Sequence, residues 1–225
     1  MKNEFLKYML ERFAKESLKN NVKKHSIITI SREYGCHGND LAEKLSIALA
    51  KEQLEWKVIN KEILNEAAKE LKISPELIDS ISSSERKGFF VDIAKGFSEK
   101  SYTNNKLVRN TISRVIQSFA KEGNIIFVGR GAVAVTRDIP KSIHIKLIAP
   151  IDYRVKSILK TENNTYEKIT DYTQDMDEKR KRLIGYFSNT DDINSLFDIT
   201  FNEETISTKE IIGTIKSLMK QRNLI

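Results

Sequence analysis

The chain has 225 residues, of which 40% are hydrophobic and 31% charged, and a net charge of +7, which fits one medium α/β domain with an insertion or two small domains. No apolar run approaches the ~20 residues that span a bilayer, and Lys7, Glu11 and Arg12 interrupt the segment where a signal peptide would be apolar. The single cysteine, Cys36, excludes an internal disulfide, and the three histidines have no zinc-type spacing. We therefore expect a cytoplasmic protein without a transmembrane segment.

Residues 1–25 are predicted to form an amphipathic helical extension. Seven Lys/Arg and three Glu fall within residues 1–24, so this segment carries much of the positive charge. Its apolar stripe consists of Phe5, Leu6, Met9, Leu10 and Phe13. The helix either docks on its own domain or on a second copy in a homodimer, or lies on a membrane surface. The rest of the chain shows no basic stripe with aromatic residues, so nucleic acid is not favoured as a partner.

A strand, a glycine turn and a helix are predicted to follow one another from residue 27. Ile27–Ile30 is a short apolar run rich in β-branched residues, and Leu41, Leu45 and Leu49 form one face of a helix. Between them, Gly35–Gly38 has two glycines that are free to take positive φ. This arrangement points backbone N–H groups and a helix dipole at an anion, usually a phosphate. An ordinary βα turn of a parallel sheet is the alternative.

The next predicted elements are a helix over residues 39–52, a strand at Trp56–Ile59 and a helix from Lys61. Ser74 then caps a further helix, with proline at its first position. Ser82–Asn105 is irregular, with scattered glycines and aromatics. It is either a mobile loop or an insertion that covers a substrate, within a predicted acceptor-side insertion over residues 60–105.

A regular alternation of helices and strands is predicted for the second half. An apolar helical stripe runs from Leu107 to Phe119, and Ile125–Val128 is a strand buried on both faces, which indicates a parallel sheet. Gly129–Gly131 follows that strand at its carboxyl end, where open α/β sheets bind ligands. The remaining elements are a strand over 143–147, a helix around Tyr153, a charged helix over 165–187, a strand at Phe197–Phe201 and a final helix capped by Ser207. This order predicts a three-layer α/β fold with about five parallel strands.

With these elements in place, the chain resembles the cytidylate kinase-like family, relatives of bacterial CMP kinase within the P-loop nucleoside monophosphate kinases. The resemblance covers about residues 26–220. The residues that carry it are Ile28–Gly35 (ITISREYG), Val128–Ala132 (VGRGA), Ala149-Pro150, Arg154-Val155, Asp177 with Arg180, and Phe197–Ile199. It implies a P-loop kinase-like domain over residues 26–225 with a helical lid near residues 160–190, and it implies ATP and Mg²⁺ as cofactors.

The resemblance also implies roles for individual residues. Gly35, Cys36, His37, Gly38 and Asn39 would form the loop under the ATP phosphates. The remaining positions concern the acceptor and the lid. Arg130 would hold the acceptor phosphate or the transferring group, Arg154 would sit at the base of the lid, and Asp177 with Arg180 would match the Asp-x-x-Arg pair of the lid.

The loop departs from a Walker A sequence, which reads Gly-x-x-x-x-Gly-Lys-Ser/Thr. With Gly35 as the point of alignment, the lysine position falls on Gly38, and His37 adds a side chain where backbone must approach phosphate. Arg32 is the candidate replacement cation, and Asp40 the candidate Mg²⁺ ligand. The structural alternatives are an ion pair of Arg32 with a neighbouring acid and a first-turn acid at Asp40. Cys36 is interpreted as a packing residue, although the helix N-terminus could lower its pKa.

Two functions remain open on the sequence. The preferred one is ATP-dependent phosphoryl transfer to a nucleoside monophosphate or a related phosphorylated small molecule, with Arg130, Arg154 and Arg180 neutralising charge. The alternative is a catalytically inactive nucleotide- or anion-binding sensor on the same fold. The base of the acceptor stays unassigned, because residues 82–105 hold no recognisable base-reading residues and Asn60 stands where CMP kinases often have an aspartate.

Overall fold

The computed structural model describes residues 26–51, 55–60, 106–188 and 190–225. These residues belong to two compact units, one of residues 24–60 and 122–225 and the other of residues 1–23 and 61–121. The first unit contains a five-stranded sheet, and the described part of the second is a single helix. The predicted N-terminal extension, the helices from Lys61 and Ser74, and the irregular segment 82–105 lie outside the described residues.

All five strands are parallel, in the order β2-β3-β1-β4-β5. The strands are β1 (Ile27–Arg32), β2 (Lys57–Ile59), β3 (Ile125–Val128), β4 (Ser142–Ile148) and β5 (Ile199–Asn202). The helices within the described residues are α1 (Gly38–Ala50), α2 (Lys106–Glu122), α3 (Ala132–Val135), α4 (Ile151–Leu159), α5 (Tyr166–Phe187) and α6 (Thr208–Gln221), with a 3₁₀ turn at Ile193–Leu196. The predicted parallel α/β sheet is confirmed.

The core of the sheet unit forms between the strands and helices α1 and α6. The leucines predicted to line α1, namely Leu41, Leu45 and Leu49, are all buried, as are Ile211, Ile215 and Met219 of α6. The strands contribute Ile28, Ile30, Ile126, Val128, Ile143, Ile145 and Leu147 to the same cluster. Each fully buried aliphatic side chain of this kind stabilises the fold by roughly 1.5–3 kcal/mol.

The end of β1 and the start of β5 each differ by two residues from the predicted positions. Strand β1 continues two residues beyond Ile30 because Ser31 and Arg32 pair with Lys146 and Leu147 of β4. Strand β5 begins at Ile199, because a 3₁₀ turn over Ile193–Leu196 with Phe197 as its C-terminal cap precedes it. Both differences arise from pairing or turn geometry that depends on distant parts of the chain. The extension of β1 places Arg32 at the carboxyl end of the central strand.

His144 is a buried histidine in the middle of the sheet. Its Nδ1 forms a hydrogen bond with Thr29 Oγ1 (2.8 Å) and its Nε2 with Ser142 Oγ (3.0 Å). Its backbone N–H donates to Asp198 Oδ2 (2.7 Å), so Asp198 supports the geometry of the β4–β5 pair. Burial lowers the pKa of His144, and Arg137 and Arg222 lower it further, whereas Asp198 acts in the opposite direction.

The lowered pKa of His144 predicts a loss of stability in acid. The unfolded histidine has a pKa near 6.5 and therefore binds a proton before the folded one does. The contribution of neutral His144 to stability is thus complete above about pH 6.5 and is lost progressively as the pH falls below that value. Denaturant unfolding between pH 7.5 and 5 measures the slope, and His144→Gln should flatten it. An unchanged slope in this variant would assign the acid sensitivity to other groups.

Candidate functional site

The candidate site is built around the loop of residues 33–37, which joins the central strand β1 to helix α1. Strand β1 lies between β3 and β4, so the loop leaves the carboxyl edge of the sheet at its middle. Within the loop, the Cys36 N–H donates to the Glu33 carbonyl (3.2 Å), and Gly35 has a φ of 92°. A Cβ at Gly35 would lie 2.8 Å from the Cβ of Arg154. Glycine is therefore required here because the backbone has a positive φ and because there is no space for a side chain.

Both backbone groups of Tyr34 are held by side chains from the helices that follow β4. The Tyr34 N–H donates to Asp177 Oδ1 (2.6 Å), and the Tyr34 carbonyl accepts from Arg154 Nη1 (3.0 Å). Arg154 Nη1 also donates to Asp177 Oδ2 (2.6 Å), which closes the arrangement. The loop is therefore fixed at Tyr34 by an ion pair between α4 and α5.

Arg154 is buried, with 8% of its side chain exposed. Besides Asp177 and Tyr34, it donates through Nε to the Ala149 carbonyl (2.8 Å) and lies 3.4 Å from Glu33 Oε2. Glu33 Oε2 in turn accepts from the Ala149 N–H (3.2 Å). A guanidinium with this many contacts to the loop and to the β4–α4 connection is a structural cation of the site.

Arg180, three residues after Asp177 on α5, contacts the end of β1 and the Tyr34 ring. Its Nη1 donates to the Arg32 carbonyl (3.0 Å), and its guanidinium lies 5.1 Å from the centre of the Tyr34 ring. Tyr34 also packs edge-on against Tyr172 of α5, with ring centres 5.3 Å apart. The Asp-x-x-Arg pair singled out in the sequence thus contacts the backbone at Tyr34 and at Arg32, the last residue of β1.

The Arg32 side chain lies between the start of α1 and the end of β3. A Cβ added to Gly38 would lie 3.1 Å from Arg32 Cδ, and a Cβ added to Gly129 would lie 2.2 Å from Arg32 Nη1. Gly38 and Gly129 leave the space that the arginine fills. The guanidinium is consequently located between the N-terminus of α1 and the segment that carries Arg130.

Arg130 lies in a left-handed turn with a glycine on either side. The φ values of Gly129, Arg130 and Gly131 are 72°, 60° and 70°. For arginine this conformation costs about 1–2 kcal/mol, and strain of this kind is typical of functional sites. Gly131 has a further constraint, since a Cβ there would lie 2.6 Å from Phe187 Cδ2 at the end of α5.

His37, the residue before α1, contacts the carboxylate of Glu203, the residue that follows β5. Its N–H donates to Glu203 Oε2 (2.9 Å) and Oε1 (3.2 Å), and its Nδ1 forms a hydrogen bond with Glu203 Oε1. Its Nε2 pairs with Ser157 Oγ of α4 (3.0 Å). The His37 side chain is therefore turned toward β5 and α4, while its backbone N–H faces a negative charge.

The prediction that the helix N-terminus could lower the pKa of Cys36 is wrong. Burial raises the pKa of this thiol to about 12, and the carboxylates of Glu203, Glu33 and Asp177 act in the same direction against Arg154. The side chain packs against the sheet core. Cys36 is a packing residue with a protonated thiol at neutral pH.

Asn39 and Asp40 begin the exposed face of α1. Asp40 pairs with Lys44 (2.8 Å), both side chains are about half exposed, and such pairs contribute little to stability. Within the described ranges, no group of three or more His, Cys, Asp or Glu is placed to hold a metal. Asp40 as a Mg²⁺ ligand remains a prediction.

The structure assembles most of the candidates and adds three acidic or aromatic partners. The loop is contacted or adjoined by Arg32, Arg154, Asp177 and Arg180. Asn39 and Asp40 are exposed to solvent. Three residues of the site were not predicted from the sequence, namely Glu33, Phe187 and Glu203. A usable signal existed for Glu203, because it directly follows the carboxyl end of a strand in the same parallel sheet.

A protein-family model described as the cytidylate kinase-like family matches residues 27–205, which is most of the chain. This chain belongs to the cytidylate kinase-like family. The matched range includes β1 to β5 and every residue of the site described above. Membership supports a kinase-like function toward a nucleotide or another small molecule, and kinase-like families in general use ATP and Mg²⁺.

A solved structure shows the same fold. An uncharacterized protein from Eubacterium ventriosum is 18% identical with a TM-score of 0.63, and the alignment covers 87% of this chain and 98% of that one. Shikimate kinase from Bacteroides thetaiotaomicron is 14% identical with a TM-score of 0.47 over 87% and 98% of the two chains. No curated protein matches the chain. No helix in the described part is long and apolar enough to cross a membrane.

Proposed function

We propose that this protein transfers a phosphoryl group from ATP to a nucleoside monophosphate or a related phosphorylated small molecule. The observation that carries the proposal is the position of Arg32, whose side chain passes Gly38 at the start of α1 and ends against Gly129. A guanidinium thereby lies beside the glycine loop, where a Walker A loop would supply its lysine. Phosphoryl transfer depends mainly on such positioning and charge neutralisation.

In this proposal the donor phosphates lie over Gly35–Gly38 and Asn39, with Arg32 as the main cation. Arg130 would hold the acceptor phosphate, and the left-handed turn around it supports this role because clustered N–H groups in such turns bind anions. Mg²⁺ would be held chiefly by the nucleotide phosphates. Asp40 would have to break its ion pair with Lys44 before it could bind the metal. The contacts of Arg154 and Asp177 favour positioning of the loop over direct contact with the transferred group. Arg180 would neutralise charge from its place on α5.

Turnover is the test of this proposal. The full chain is incubated with ATP and Mg²⁺ and, in separate reactions, with CMP and other nucleoside monophosphates, and ADP formation is followed. Arg32→Gln is expected to lower kcat/KM at least about 100-fold, the order of a lost electrostatic contact in the transition state. The exposed Arg137→Gln, with the same change of charge, should retain the wild-type rate. A wild-type rate in Arg32→Gln would contradict the assigned role.

The alternative is a nucleotide- or anion-binding sensor without transfer activity. The observation that favours it is the contact of Glu203 with the His37 N–H, which places an internal carboxylate at the loop. A sensor would bind ATP or a monophosphate saturably and form no ADP with any acceptor. The sensor would be excluded if the wild-type chain formed ADP and the Arg32→Gln variant, prepared in the same way, did not.

A further inference from the structure

The carboxylate of Glu203 lies at the N-terminus of α1. His37 is the residue that caps this 13-residue helix, and its side chain makes no hydrogen bond to the helix. Instead, the His37 N–H donates to both Glu203 oxygens, at 2.9 and 3.2 Å. A negative charge is favourable here because the helix dipole and the unpaired N–H groups of the first turn attract anions.

Three elements hold Glu203 in this place. Its own N–H donates to the Ile148 carbonyl (2.9 Å), which continues the pairing of β5 with β4. The His37 ring contacts it through Nδ1, and the opposite ring nitrogen is fixed by Ser157 of α4 (3.0 Å). Only 11% of the Glu203 side chain is exposed. The carboxylate is therefore a built feature of the loop and not a freely rotating surface group.

We propose that Glu203 is an internal competitor for the phosphate that binds at the loop. The proposal rests on the function given above, in which donor phosphates lie over Gly35–Gly38. A phosphate that accepts from the His37 N–H needs the place of the carboxylate, and two anions side by side in a partly buried site repel each other. Binding of a phosphorylated ligand therefore requires the Glu203 side chain to leave.

The loop consequently binds phosphate more weakly than it would if the Glu203 carboxylate did not occupy its N–H donors. When the competent state is populated by only a fraction of the molecules, the apparent dissociation constant rises by the inverse of that fraction. Glu203 would thus set the concentration of phosphorylated ligand at which the site fills. Displacement of the Glu203 side chain would also release the His37 ring from Glu203, so that filling of the loop is coupled to the segment that follows β5.

The test compares two adjacent glutamates. Glu203→Gln removes the charge and keeps the shape, Glu203→Ala removes the contact, and Glu204→Gln makes the same change of charge at an exposed neighbour. Binding of inorganic pyrophosphate, and separately of ATP with Mg²⁺, is measured by calorimetry after thermal unfolding has shown that each variant is folded. Both Glu203 variants should bind pyrophosphate about tenfold tighter, as expected if the carboxylate holds the loop in about nine of ten molecules. Glu204→Gln should match the wild type.

Each outcome of this comparison decides the proposal. Equal or weaker pyrophosphate binding in the Glu203 variants, an equal gain in Glu204→Gln, or no binding by any of the proteins would overturn it. Turnover separates it from the proposed function. Tighter pyrophosphate binding without ADP formation by any variant keeps the competitor and rejects the kinase, whereas ADP formation with unchanged affinity keeps the kinase and rejects the competitor.

Discussion

Arg154→Met is expected to lower the free energy of unfolding by about 3 kcal/mol, the order of magnitude for breaking a buried ion pair. The substitution leaves Asp177 and Glu33 without their guanidinium, and it removes the donor to the Tyr34 carbonyl. An uncompensated carboxylate at a mostly buried position is the main cost, since methionine fills much of the lost volume. Denaturant unfolding of the full chain measures the effect.

Lys156→Met is the matched control for that experiment. Lys156 lies two residues away on the same helix, carries the same charge and is exposed, so its replacement should change the free energy of unfolding by no more than about 0.5 kcal/mol. Arg154→Lys should also be destabilising, because a single ammonium cannot reproduce the contacts made through Nε and Nη1. A wild-type stability for Arg154→Met would show that the loop does not depend on this cation.

Gly35→Ala is expected to cost about 3 kcal/mol of stability, from a left-handed non-glycine residue and from overpacking together. The added Cβ would lie 2.8 Å from Arg154 Cβ and 3.0 Å from the Arg154 carbonyl oxygen, and the second of these is backbone that cannot rotate away. The loop must then shift, so binding of ATP should weaken at least about tenfold in parallel. Thermal unfolding and calorimetric titration of the same preparation give the two values.

Gly213→Ala provides the opposite expectation within the same protein. Gly213 is exposed in the interior of α6, and a Cβ there would meet nothing within 4 Å. Alanine should therefore stabilise the chain by about 0.5–1 kcal/mol through helix propensity. If both glycine variants changed stability by the same amount and sign, the steric argument for Gly35 would be wrong.

Much of the fold was predictable because its strands and helix ends depend on residues that are close together in the sequence. The strand Ile125–Val128 is a continuous apolar run, and the four residues predicted are the four observed. The capping box at Ser207 likewise marks the start of α6. There the Ser207 hydroxyl accepts from the Glu210 N–H, and the Glu210 carboxylate accepts from the Ser207 N–H. Buried strands and helix caps depend on residues within a few positions of one another, so a sequence shows them directly.

The contacts of the site were less predictable because they join residues far apart in the chain. Tyr34 and Asp177 are separated by 143 positions and His37 and Glu203 by 166. The sequence identified Arg154, Asp177 and Arg180 as a group through a family resemblance, yet their attachment to the Tyr34 backbone depends on how α4 and α5 pack. The position of Arg32 against Gly129 is of the same kind, since it needs the pairing of β1 with β3.

Calorimetric titration of the full chain with ATP and Mg²⁺ tests the central claim most directly, namely that Arg32 replaces the missing Walker lysine at the glycine loop. Wild-type protein should bind ATP saturably, and Arg32→Gln should bind at least about tenfold more weakly, while Arg137→Gln keeps the wild-type affinity. Arg130→Ala should retain ATP and lose the monophosphate. Saturable ATP binding that is unaffected by Arg32→Gln, or no ATP binding by the wild-type chain, would contradict the account.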